Sequence, residues 1–183
     1  MLEKCFIEHC SATLSGLKCA NLFNYFFTDE QQLTEELKLW NSHFRSKGIQ
    51  LYVLRQKSNS ALIYMCRPVR LSRRLANSDT ARFLSGYGYT DMSVQAVIAR
   101  LSARIQLTDS FPHEIGVMLD YPLCDVIGFI THKGENCKCT GIWKVYGDEK
   151  EAVRQFGKLK KCKSIYKNLY NKGRSVMRLT VAA

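Results

Sequence analysis

A histidine and a cysteine stand side by side at His9-Cys10, and Lys18 follows a short way on. A thiol becomes a nucleophile when a neighbouring cation or a helix N-terminus lowers its pKa. Lys18, or His9 acting as a base, could therefore draw a thiolate from Cys10 and make it the centre of a thiol-dependent enzyme, with a helix starting near Thr13 placing Cys10 just ahead of it. Buried among apolar side chains, the same cysteine is only a small inert hydrophobe. A second pair, His113-Glu114, comes directly after Phe111-Pro112, with Asp125 further along. It could supply a general base or metal ligands, but successive helical residues diverge by about 100°, so the two need not serve one centre. An acid just after a proline is also an ordinary helix start. Together with Arg67 these residues make one candidate pocket of His9, Cys10, Lys18, Arg67, His113 and Glu114. Thiol, imidazole and basic groups in that mixture suit a small anion or a metal-bearing species.

Several familiar chemistries are missing. Gly86 and Gly88 match neither phosphate-loop nor dinucleotide-loop spacing, and no nucleophile elbow or H-E-x-x-H helix occurs. Cys137 and Cys139 lack the second cysteine pair of a zinc ribbon, with only His132 nearby. The other six of the eight cysteines are scattered singly, as thiols in a reducing cytosol would be, and not as a disulfide ladder. The residues leave any cofactor, and the oligomeric state, open.

The chain carries a formal charge of +11 over 183 residues, unevenly spread. From Asp148 onward ten bases face three acids, and Arg67, Arg70, Arg73 and Arg74 form a second basic run. Such asymmetry favours an anionic partner. An alternative function is therefore nonspecific nucleic-acid binding through Lys158, Lys160, Lys161 and Lys163, with Tyr87, Tyr89, Tyr166 and Tyr170 as stacking surfaces if exposed. A helix-turn-helix about Tyr121-Pro122 is disfavoured, because its second helix is apolar and carries Asp125 where base-reading side chains belong. No stretch approaches the roughly 20 apolar residues of a membrane span, and the charged first ten residues do not resemble a secretory segment, so a cytoplasmic protein without membrane insertion is expected.

The elements that must hold these residues follow from periodicity. Leu33, Leu37, Trp40 and Phe44 predict a helix over Asp29–Lys47, stopped by Gly48. Ile49–Arg55 and Ser60–Cys66, joined at Ser58-Asn59, read as a hairpin. Pro68–Ala76 reads as a short basic helix presenting Arg70, Arg73 and Arg74 to solvent, and Thr90–Leu107 as a second amphipathic helix. After the Ser110-Phe111-Pro112 break come short helices at His113–Leu119 and Pro122–Ile130. A strand over Thr140–Tyr146 and a long helix from Asp148 to about Asn171 follow, and Ser175–Val181 returns as a last strand. Residues 1–183 thus form one α+β domain, helices packed on a small, mainly antiparallel sheet.

Several phrases occur together: His9-Cys10, Ala20-Asn21-Leu22-Phe23, Tyr64 with Arg67-Pro68, Phe111-Pro112-His113-Glu114-Ile115-Gly116, Tyr121-Pro122, Asp125-Val126, Gly128-Phe129 and Trp143-Lys144-Val145-Tyr146-Gly147-Asp148. In these the chain resembles, over nearly its whole length, a family of clostridia and related anaerobic Firmicutes catalogued as a domain of unknown function. Two positions depart from that pattern: Ala12, where proline is expected, and Asp120, where glycine is expected. The resemblance implies a cytosolic protein of an anaerobe and carries no activity.

Overall fold

The computed structural model describes residues 2–107 and 111–182, so Ser110 of the expected break lies outside the described residues. Three antiparallel strands, β1 (Ala20–Phe26), β2 (Gln50–Lys57) and β3 (Ser60–Cys66), form a sheet in the order β1-β3-β2. The run Ala61 to Cys66 explains why β3 is central. Successive side chains alternate between faces, and here both faces are apolar: Leu62, Tyr64 and Cys66 point one way and Ala61, Ile63 and Met65 the other. The outer edge of β2 is capped by side chains. Asn41 bonds both backbone groups of Leu51 at 2.8 and 3.2 Å, and Ser102 donates to the Leu54 carbonyl at 2.7 Å, where the register shifts. Such capping keeps an edge from pairing with another chain.

Helices cover both faces. On one lie α1 (Leu2–Leu14) and α2 (Glu30–Arg45). On the other lie α3 (Pro68–Leu75), α4 (Ser78–Ser85), α5 (Val94–Leu107), α6 (Ile115–Met118) and α7 (Leu123–Thr131). A small antiparallel pair, β4 (Cys139–Thr140) and β5 (Lys144–Val145), packs Trp143 and Val145 against Phe156 of α8 (Glu149–Asn171). The short α9 (Val176–Leu179) closes the first face with Val176 and Leu179. The α+β class with a small antiparallel sheet is as expected, and none of the described helices is long and apolar enough to cross a membrane.

Helix α2, the β2–β3 hairpin, α3 and α8 sit where periodicity placed them, with Asp29 accepting from the Gln31 and Gln32 amides and Asp148 from the Glu151 amide. Other expectations are corrected. No helix starts near Thr13; α1 ends there, on a stripe of Leu2, Phe6, Cys10 and Leu14. The helix expected from Thr90 starts at Val94, after Ser93. The strand expected over Thr140–Tyr146 folds back on itself, the Gly141 amide donating to the Trp143 carbonyl, and so divides into β4 and β5. The expected last strand is α9, capped by Ser175.

Candidate functional site

The six residues expected in one pocket are not brought together. Cys10 is 0% exposed inside α1, and burial pushes its thiol pKa up, the opposite of what a nucleophilic cysteine needs. Arg67 is buried at the end of β3, where its guanidinium donates to the carbonyls of Thr13 (2.8 Å), Leu14 (2.9 Å), Val181 (2.8 Å) and Lys47 (3.3 Å). It clamps the C-terminal end of α1 with four of its five N–H donors. Glu114 is also buried, accepting from Arg104 Nε at 2.5 Å and the Tyr89 hydroxyl at 3.2 Å, which ties α5 to the start of α6. His113, beside it in sequence, lines a different space.

Two of the six do meet. His9, stacked on Phe23, lines a small cleft of about 240 Å³ whose other walls include Lys18, Asn21 and Lys163. Burial and the Lys163 charge lower the His9 pKa.

Lys18 is placed by the turn that ends α1. Gly16 takes φ 76°, a left-handed conformation that glycine adopts without penalty, and the Lys18 amide returns to the Ala12 carbonyl at 2.9 Å. This folds the lysine under the helix end, leaving it 5% exposed. Its ammonium lies 4.7 Å from the centre of the Tyr121 ring, with no hydrogen bond or ion pair among the described residues. Burial lowers its pKa to about 8, while the neighbouring Cys19, Asp120 and Cys10 pull it back up.

Beyond the small cleft, Lys18 also lines a larger one of about 410 Å³, together with Arg70 and Arg74 of α3, Asp120, and Asp148 and Glu151 at the start of α8. The two arginines are not the solvent-facing groups expected of this helix. Arg74 donates to the carbonyls of Val117 (2.6 Å) and Tyr121 and pairs with Asp120 at 3.3 Å; Arg70 donates to the Gly16 carbonyl. Asp120 holds φ 68°, where glycine would be relaxed, and the side chain it gains over glycine also accepts from the Cys19 amide at 2.9 Å. The acids are thus occupied or peripheral. Asp120 is engaged twice, Asp148 caps α8, and Glu151 pairs with Arg154 at the exposed rim. Asp125, held by three donors, also lines this cleft, so four carboxylates and three cations share it, and of the cations Lys18 alone has neither a hydrogen bond nor an ion pair among the described residues.

The ring of Tyr121 stacks on Trp143 at 5.0 Å, and both rings line a third, apolar space of about 360 Å³ with Phe129, Val126, Ile142 and His113. Asp125 fixes this wall. Its carboxylate accepts from Trp143 Nε1 (2.7 Å) and from the amides of Tyr146 (2.8 Å) and Gly147 (2.7 Å), fastening the β4–β5 hairpin to α7. Asp125 therefore positions the Trp143 ring and the end of the hairpin.

Sequence reasoning missed Arg70, Arg74, Tyr121, Trp143 and Asp120 as parts of a site. One signal was present: Arg67, Arg70 and Arg74 are spaced i, i+3, i+7, a single helical stripe, with Arg73 off it. Among the described residues no three His, Cys, Asp or Glu side chains are grouped so as to hold a metal ion. On α8, Lys158, Lys160 and Lys161 are exposed, whereas Lys163 and Lys167 grip Glu8 at 2.7 and 3.5 Å. The tyrosines offered as stacking surfaces are not free faces: Tyr89 is buried, Tyr87 packs on Phe83, and Tyr166 and Tyr170 pack against the core.

A family model described as "Protein of unknown function (DUF3793)" matches residues 6–180. No curated protein and no solved structure matches the chain.

Proposed function

The chain belongs to the DUF3793 family of proteins of unknown function, and from that footing we propose that it is a cytosolic small-anion-binding domain whose ligand sits over Lys18. The observation that carries this reading is the Lys18 ammonium, 5% exposed and without a hydrogen bond or ion pair among the described residues, at a cleft whose carboxylates are engaged by other groups. A buried charge without a partner costs several kcal/mol, and an anion entering the cleft supplies the partner. Arg70 adds a second positive group, since its Nε and Nη2 have no acceptor among the described residues. At neutral pH the lysine is mostly protonated, its pKa being about 8. The cytosolic setting is supported by eight free thiols.

The reading is tested by calorimetric titration with inorganic phosphate. The wild-type protein is expected to bind, and Lys18→Met to raise Kd at least tenfold while keeping a cooperative unfolding transition. An unchanged Kd in Lys18→Met would move the site elsewhere.

A second reading, nonspecific nucleic-acid binding, draws on the exposed lysines of α8 that form no salt bridge among the described residues: Lys158, Lys160 and Lys161. Lys163 contributes less, being paired with Glu8. Neutralising these lysines should weaken binding equally for all sequences and flatten its salt dependence. Binding that is undetectable or insensitive to salt removes this reading.

A further inference from the structure

We infer that the Lys18 amine is a nucleophile that forms a reversible imine with a small carbonyl-bearing anion, of the class of 2-oxo acids and aldehyde acids. This rests on the Lys18 cleft being the anion site, and it assigns the lysine a second task there.

Four features of the cleft point to this chemistry. Lys18 and Arg70 divide the labour: an arginine cannot deprotonate in a protein, so Arg70, with two free nitrogens, is the permanent charge for a carboxylate. A lysine without hydrogen bonds is free to turn onto a carbonyl carbon, whereas Arg67, fixed by four carbonyls, shows how this fold immobilises a cation it uses as a clamp. Burial at 5% exposure excludes the water that would hydrolyse an imine, and it favours the neutral amine, as the lowered pKa of about 8 reflects. Finally, the Tyr121 ring 4.7 Å from the nitrogen stabilises a cation there and would hold the iminium product in the same way.

The step balances without an oxidant or reductant. The Nζ lone pair attacks the carbonyl carbon, the C=O π pair moves to oxygen, and a proton passes from nitrogen to oxygen to give a carbinolamine. The nitrogen lone pair then expels the hydroxyl group, which takes a proton from solvent and leaves as water; the resulting iminium returns its N–H proton to solvent, and a C=N bond remains. Amine plus carbonyl thus gives imine plus water. The cleft, at about 410 Å³, lies within the range of small-molecule sites.

The test uses the full wild-type chain with glyoxylate and cyanoborohydride at neutral pH, followed by peptide mass mapping, alongside a phosphate titration of the same preparation. Imine chemistry predicts that Lys18 acquires a carboxymethyl group at least tenfold faster than any exposed lysine, and that excess phosphate slows it. Phosphate binding with labelling spread evenly over the exposed lysines would overturn the imine and leave the anion site standing. Neither phosphate binding nor Lys18 labelling would overturn both.

Discussion

Arg67 and Lys18 are two buried cations at the same end of α1, and they differ in one respect. Arg67 is 3% exposed and its guanidinium is spent on four backbone carbonyls, two at the end of α1, one in the turn after α2 and one at Val181. Lys18 is 5% exposed and has only the face of an aromatic ring. Burial is therefore not what separates a structural charge from a functional one; satisfaction is. Among the described residues this fold furnishes four hydrogen-bond acceptors to one cation and leaves its neighbour without a hydrogen bond, and so available. Glu114 falls on the Arg67 side of this division, since Arg104 and Tyr89 occupy it.

The contrast breaks most readily at Arg67. Replacing it by methionine removes four charge-assisted hydrogen bonds to backbone carbonyls, and Arg67→Met is expected to lower the unfolding free energy by about 4 kcal/mol in urea denaturation. A loss below about 1 kcal/mol would mean that the clamp is dispensable.

At Lys18 the sign reverses. The folded-state pKa of about 8 lies below the ordinary lysine value of 10.5, so the unfolded chain holds the proton more tightly and the charge destabilises the fold. That cost is complete below pH 8, shrinks between about 8 and 10.5, and is gone above. With about 1.4 kcal/mol per pH unit, Lys18→Met is expected to gain on the order of 3 kcal/mol at neutral pH, with the gain disappearing by pH 10.5. The nearby Cys10, Cys19 and Asp120 all oppose the downward shift. A destabilised Lys18→Met at pH 7 would mean that the ammonium already has a protein partner.

Glu114→Gln keeps the shape but removes the charge that Arg104 meets at 2.5 Å; a loss of about 2 kcal/mol is expected. Because this residue lies away from Lys18, phosphate affinity should not move, and a change in Kd would join the two regions. The smallest effect concerns thiols. Native-state alkylation should reach the exposed Cys124 while Cys10 stays protected until unfolding; selective labelling of Cys10 would restore it as a nucleophile.

Much of the fold was legible because its signals are local. The 3.6-residue stripe of α2 with Asp29 and Gly48 at its ends, the hairpin about Ser58-Asn59, and the Asp148 cap of α8 are each written within one element. Elements whose stability comes from elsewhere were not. Strands β4 and β5 have two residues each and are held by Asp125, which grips Trp143 between them and the backbone just after β5. Strand β1 carries Asn21 and Asn24, which weaken its strand signal, and pairs with β3 along its whole length. The site was half legible. Lys18 and His9 were singled out by residue type, but the Cys19–Asp120 bond joins residues 101 apart, and only the folded chain shows that Arg70 and Arg74 turn inward. Asp120 shows the same limit: a departure from glycine in the sequence becomes a left-handed residue whose carboxylate bridges Arg74 and the Cys19 amide.

The claim that Lys18 is a buried ammonium awaiting an anion is most directly tested by NMR titration of its side chain, with and without phosphate. The account predicts a pKa near 8 for the protein alone, rising by at least one unit when phosphate fills the cleft. A pKa at the ordinary lysine value that phosphate leaves unmoved would contradict it.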